Sequence, residues 1–456
     1  MGEFPYRGLP VLGCVLTLLT FGGSPDYALT SSVSLNMGGT SMSDPGQGYA
    51  DAMTDLYIEP FLGVSVGPGD RHVVVTPEQL WPISCGEAAL NDCLTLDASV
   101  DQGVIDLARA IALYPQDAKY ILGYSQSTQI QTITKRAIML AAEMAGGGFA
   151  DYPDVSLSMV SNINKPNGGI LARFSWAWPT PTSLQPLGIT AWGPTPTDTP
   201  ANPADPADYA VDTVNFSFIY DGIGDFPSNP LNLLAVANAI IGAAYLHHTY
   251  PFQSDITPDN PRVFYQGSYQ DSAYYMLSTE LIPLLRPLAD LGVPKPLLLF
   301  LDAPLQVLIE TGYEREINPG EPVPFRLAFN NPITVARNLA ESVLVGFDDA
   351  AAELGYGRPL RTTPAGPFGV GGPTGPIADP TAPPAALRPV TVAGRAAARS
   401  AGSQRVDGPG DVHHRRADAR HRGDVDTPRP DRQQSRGVLG QHQAERRADA
   451  NADTDQ

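Results

Sequence analysis

AKYILGYSQSTQIQTITKRAIMLAAE, residues 118–143, is the stretch that decides the fold. Ala118 to Gly123 is a short apolar run of strand length, and Ser127 to Glu143 carries apolar residues at helical spacing. Between them lies Gly123-Tyr124-Ser125-Gln126-Ser127. A buried strand that passes directly into a helix through small–x–Ser–x–small is the setting of a sharp turn that lifts a nucleophilic serine out of the backbone. Small residues two before and two after the serine let the turn pass close to its neighbours. The common pattern ends in Gly; here Ser127 stands in its place and is small enough to keep the turn.

Working outward, strands alternate with helices. Val33 to Met37, Arg71 to Thr76, Val155 to Val160 and Val214 to Tyr220 read as strands. Tyr49 to Phe61 reads as a helix, as does Asp97 to Leu113 with Asp97 as its N-cap. This rhythm predicts an α/β fold with a mainly parallel central sheet flanked by helices. Trp176 to Ala207 interrupts it with Pro, Thr and Trp at no period, which reads as a cover over a site or as a solvated loop.

A serine nucleophile needs a base, and the base needs an orienting acid. Before residue 388 the only histidines are His72, His247 and His248. The chain order of α/β-hydrolases is Ser, acid, His. His72 precedes the serine and reads as a polar residue at a strand start, so the base is His247 or His248. Asp221 directly follows the strand NFSFIY, and Asp225 lies in the same turn, DGIGDFP. Asp221 ranks first because it sits at the strand edge. The oxyanion hole takes one N–H from Gln126, after the nucleophile. The second is expected from Gly38-Gly39-Thr40, where glycine lets backbone approach a substrate closely. No metal or organic cofactor is called for.

Several stretches then carry a family likeness: MGGT (37–40), TPEQLWP (76–82), LDASVDQGV (96–104), GYSQS (123–127), NKPNGGILARF (164–174), YDGIGDFPSNPLNLLA (220–235), YLHHTYP (245–251) and YYMLSTELIPLLRPL (274–288). In order and spacing they resemble the PE-PPE domain family, a cutinase-like branch of the α/β-hydrolases found in actinobacterial envelope and secreted proteins. The resemblance implies an esterase or lipase-like activity on acyl esters, with the nucleophile at Ser125, the acid at Asp221 and the base at His247. It also implies a rival, acyl transfer in envelope lipid assembly with the same residues. The family pattern has Gly after the base, where this chain has His248. A third reading, from another class, is a non-catalytic envelope protein on the same fold.

Composition sets the remaining bounds. The net charge is −19, and after Leu387 there are 13 Arg and no Lys against 10 acids, so the acidity lies in the body. An acidic body excludes a nucleic-acid surface. Leu9 to Phe21 is apolar behind Arg7 and has the length of a signal-peptide core, so residues 1–28 are expected to be a signal or anchor and the protein to be exported. An exported chain could join Cys85 to Cys93 in CGEAALNDC. The folded domain is expected at 29–357. Residues 358–456 are expected to be a disordered tail, first a Pro/Gly linker and then an Arg/Ala/Asp/Gly/His/Gln vocabulary like that of a frameshifted reading. His413, His414, His421 and His442 in that tail are not read as a metal site.

Overall fold

The computed structural model describes residues 31–86, 88–177, 182–184, 187–327 and 330–381. The expected leader at 1–28, residues 382–456 and Trp178 of the insertion lie outside that set.

Seven strands make one sheet: β1 (Ser32–Asn36), β2 (Arg71–Val73), β3 (Ala118–Tyr124), β4 (Val155–Val160), β5 (Thr213–Phe218), β6 (Val263–Tyr269) and β7 (Ser272–Leu277). Their order is β6-β7-β5-β4-β3-β1-β2. Every pairing is parallel except the hairpin of β6 with β7. All residues of β3, β4, β5 and β7 are buried, as expected of strands covered on both faces.

Strand alternation divides the core. Tyr120, Leu122 and Tyr124 of β3 meet Phe216 of β5 and the Met53, Tyr57 side of α1 (Gln47–Tyr57). Ile121 points the other way, with Leu157 and Met159 of β4, against α2 (Leu96–Leu113) and α3 (Ser127–Ala145). Helix α3 is buried on nearly every side, its Lys135 paired with Asp271 at 2.9 Å and fully enclosed. A third cluster joins α4 (Leu233–Tyr245) and α5 (Lys295–Glu310) to Phe368.

Three expectations change. The N-cap of α2 is Thr95, whose hydroxyl accepts from Ala98 N at 3.3 Å. Asp97 instead accepts from the backbone N–H and the hydroxyl of Thr190, at 2.8 and 2.9 Å, so tertiary contacts claim the carboxylate. The insertion is not periodless throughout: Thr182–Leu184 pairs with Ile189–Ala191, and Ala201–Asn202 with Asp205–Tyr209. Finally, the packed chain runs past the expected edge at Gly357. Phe368 is buried in the third cluster, and Ile377 N donates to Gln266 O at 2.8 Å beside β6. A few apolar anchors in a Pro/Gly-rich strand of chain fix it without any regular element, which composition alone could not reveal.

Candidate active site

Ser125 leaves β3 at φ 59°, a left-handed conformation that few side chains adopt. Two features make the turn fit. A Cβ on Gly123 would lie 2.3 Å from Gln131 Oε1 and 3.0 Å from Ser127 O, so no side chain is tolerated there. Ser127, in place of the more usual Gly, accepts a hydrogen bond from Tyr124 N at 2.8 Å and so braces the turn. Ser125 N donates to Val160 O at 2.9 Å, tying the turn to β4.

The chain after α4 brings His247 over this serine. His247 Nε2 lies 2.7 Å from Ser125 Oγ, and Nδ1 lies 3.1 Å from Asp221 Oδ2. Asp221 follows β5 by three residues and is fully buried. Burial alone would raise its carboxyl. The charge of His247, hydrogen bonds from His247 and Ser161, and the Ile223 N–H outweigh that and hold it below the usual carboxylate range. Tyr250 OH adds a further donor to Oδ2 at 2.9 Å. The Tyr124 ring lies tilted against the His247 ring, with centroids 5.1 Å apart, and its hydroxyl donates to the His247 carbonyl.

Of the alternatives, Asp225 faces away from His247 into a bidentate pair with Arg315 at 2.7 and 3.0 Å. His248 is exposed. His72 stacks on Tyr114 at 4.9 Å on the sheet's edge strand. The His247 ring, not His248, lies within hydrogen-bond distance of both Ser125 and Asp221.

The loop after β1 presses on the nucleophile. A Cβ on Gly39 would come within 2.9 Å of the Tyr124 ring and 3.1 Å of Ser125 Cβ. Thr40 Oγ1 donates to Gln126 Oε1 at 2.9 Å, and Gln126 Nε2 donates to Ser99 Oγ at 2.8 Å. The side chains thus lock to each other, while among the described residues the Thr40 and Gln126 backbone N–H groups have no acceptor. Cys85 and Cys93 are joined by a disulfide, Cα atoms 5.0 Å apart. Its neighbour Ser84 hydrogen-bonds Ser41, so the bridged stretch leans on the same loop. Ser161, Tyr250 and Tyr124 were not singled out from sequence. One signal could have found Ser161: like Ser125 and Asp221 it follows the C-terminal end of a central parallel strand, where such folds gather their sites.

Among the described residues no cluster of His, Cys, Asp and Glu could hold a metal ion, and no helix is long and apolar enough to cross a membrane.

Comparison with known proteins adds the following. The family model described as PE-PPE domain matches residues 68–314. Esterase PE16 of Mycobacterium tuberculosis (strain ATCC 25618 / H37Rv) is 32% identical over 381 residues, covering 75% of this chain and 66% of the relative. PPE family protein PPE42 of M. tuberculosis (strain CDC 1551 / Oshkosh) is 35% identical over 294 residues, 63% of this chain and 46% of the relative. Diacyltrehalose acyltransferase Chp2 of the H37Rv strain is 37% identical over 113 residues, 24% of this chain and 32% of the relative. The chain spans from 46% to 66% of the length of PPE42 and PE16. No solved structure matches.

Proposed function

This chain belongs to the PE-PPE domain family, and from that premise we propose that it is a serine hydrolase of lipid esters working through Ser125, His247 and Asp221. The observation that carries the proposal is the unbroken line from Ser125 Oγ to His247 Nε2 at 2.7 Å and from His247 Nδ1 to Asp221 Oδ2 at 3.1 Å. The names of two relatives, an esterase and an acyltransferase, support an ester-carbonyl substrate.

The steps follow from the geometry. Ser125 Oγ attacks the ester carbonyl as its proton passes to His247 Nε2. The new oxyanion takes the Gln126 and Thr40 N–H donors. The C–O bond to the alcohol breaks, and His247 returns the proton to the leaving oxygen. Asp221 holds the Nδ1–H tautomer and stabilises the imidazolium throughout. Water, deprotonated by His247, then releases the acid. A second alcohol in place of water would make the chain an acyltransferase, and the likeness to Chp2 favours keeping that reading.

Export to the cell envelope is part of the same proposal. It is supported by the apolar run Leu9 to Phe21 and by the Cys85–Cys93 bridge, which belongs to oxidising compartments.

The test is hydrolysis of p-nitrophenyl esters of graded chain length by the full chain and by Ser125→Ala. Turnover by the wild type, abolished in the variant, is expected. Equal turnover by both would refute the assignment. Transfer to an added alcohol in preference to water would select the acyltransferase form.

A further inference from the structure

Ser161 stands where the acid and the base meet. It follows β4 directly, and its N–H donates to Phe216 O at 2.7 Å, which pins it between β4 and β5. Its hydroxyl lies 2.5 Å from Asp221 Oδ2 and 3.1 Å from His247 Nδ1. A hydroxyl has one proton to give. The carboxylate has none, so the Ser161 proton goes to Asp221 and a lone pair of Ser161 Oγ is left facing Nδ1. The His247 Nδ1–H therefore has two acceptors at the same distance, Asp221 Oδ2 and Ser161 Oγ, both 3.1 Å away.

The backbone adds an independent sign. Ser161 sits at φ 53°, the left-handed region in which Gly is relaxed and Ser is strained. It is fully buried, so the hydroxyl is not there for water. A strained residue whose side chain bridges the two partners of a proton relay fits a role for that hydroxyl and not a role for its backbone shape.

Resting on the serine-hydrolase reading, we propose that Ser161 is a positioning residue of the reaction. It fixes the plane and Nδ1–H tautomer of His247 through a forked hydrogen bond, and it holds Asp221 ionised by donating to Oδ2. It touches no substrate; it acts through Asp221 and His247.

The fold offers a clean variant. Ser161→Gly removes the hydroxyl and relieves the left-handed strain, which offsets part of the stability lost with the bond to the buried Asp221 carboxylate. With p-nitrophenyl esters and the full chain, kcat should fall about ten- to a hundredfold, the weight of one hydrogen bond to a charged group. KM should not rise, and the variant should stay folded at the assay temperature. Inactivation by a fluorophosphonate should slow by a similar factor, since it needs the same activated Ser125. Ser161→Ala should match the kcat loss. The proposal is overturned if Ser161→Gly keeps kcat within about twofold of wild type, a ratio too small for a lost hydrogen bond to a charge. A rise in KM with kcat unchanged would also overturn it. If the wild type neither turns over nor labels, the hydrolase reading itself fails and this one with it; a wild type that labels, beside an unaffected Ser161→Gly, sinks the Ser161 role alone.

Discussion

Asp221 and Asp225 share one turn, both carboxylates are fully buried, and both are held below the ordinary carboxylate range. Burial opposes ionisation at each. At Asp221 the compensation comes from His247, Ser161, Tyr250 and the Ile223 N–H, three of them donors that leave the ring partner free to take and return a proton. At Asp225 it comes from Arg315, a permanent cation in two-point contact, with Lys165 nearby and the Tyr220 N–H. One carboxylate is matched to a group whose charge changes and the other to a group whose charge does not. On the proposed reading, that difference separates the candidate acid from a brace within five residues of chain.

The largest effect expected from breaking this contrast is at the first acid. Asp221→Asn should leave the fold intact and lower kcat/KM about 10⁴-fold, because the amide favours the wrong His247 tautomer. Ester hydrolysis alongside circular dichroism checks both halves. Asp225→Ala should do the reverse. Among the described residues it leaves buried Arg315 with Glu310 alone as its carboxylate partner, at 3.0 Å, and it strips the Tyr220 N–H of its acceptor. A stability loss of about 3 kcal/mol or more is expected in urea unfolding, with kcat of the folded fraction nearly unchanged.

Glu78 sharpens the comparison as a buried carboxyl that pairs with no cation among the described residues. Thr76 donates to its Oε1 at 2.7 Å, Oε2 has no partner, and burial pushes its pKa up to about 8. Released by unfolding, it would ionise near 4.5. Between those values the unfolded chain binds fewer protons than the folded one, so this group's contribution to stability is full below about 4.5 and is lost as pH rises to about 8. Glu78→Gln should therefore gain stability over the wild type across that window, by a few kcal/mol on the order set by linkage. Melting curves from pH 5 to 9 would show a gap that widens and then levels. A constant gap would mean that Glu78 is ionised when folded. The smallest effect belongs to His248→Ala, an exposed side chain, where activity should stay within about twofold, the scatter expected for a surface change away from the site.

The central strands, the Ser125 turn and the place of Asp221 just beyond a strand end were legible because they rest on local rules: apolar runs, helical spacing, small residues flanking a serine. One element, Val155–Val160, keeps its predicted bounds, whereas the strand read over Arg71 to Thr76 ends at Val73 and the helix read over Tyr49 to Phe61 ends at Tyr57. What stayed hidden depends on distant chain. Asp97 reads as a cap until Thr190 arrives to claim it. Residues 358–381 read as linker until Phe368 and Ile377 find partners. Ser161 is one serine among many until the sheet sets it against Asp221 and His247.

The most direct test of the account is the site of covalent capture. The full chain is treated with a fluorophosphonate, digested, and the adduct located by mass spectrometry, with Ser125→Ala in parallel. One stoichiometric adduct is expected on the peptide carrying Ser125, and none in the variant. An adduct elsewhere, or labelling that persists in Ser125→Ala, would contradict it.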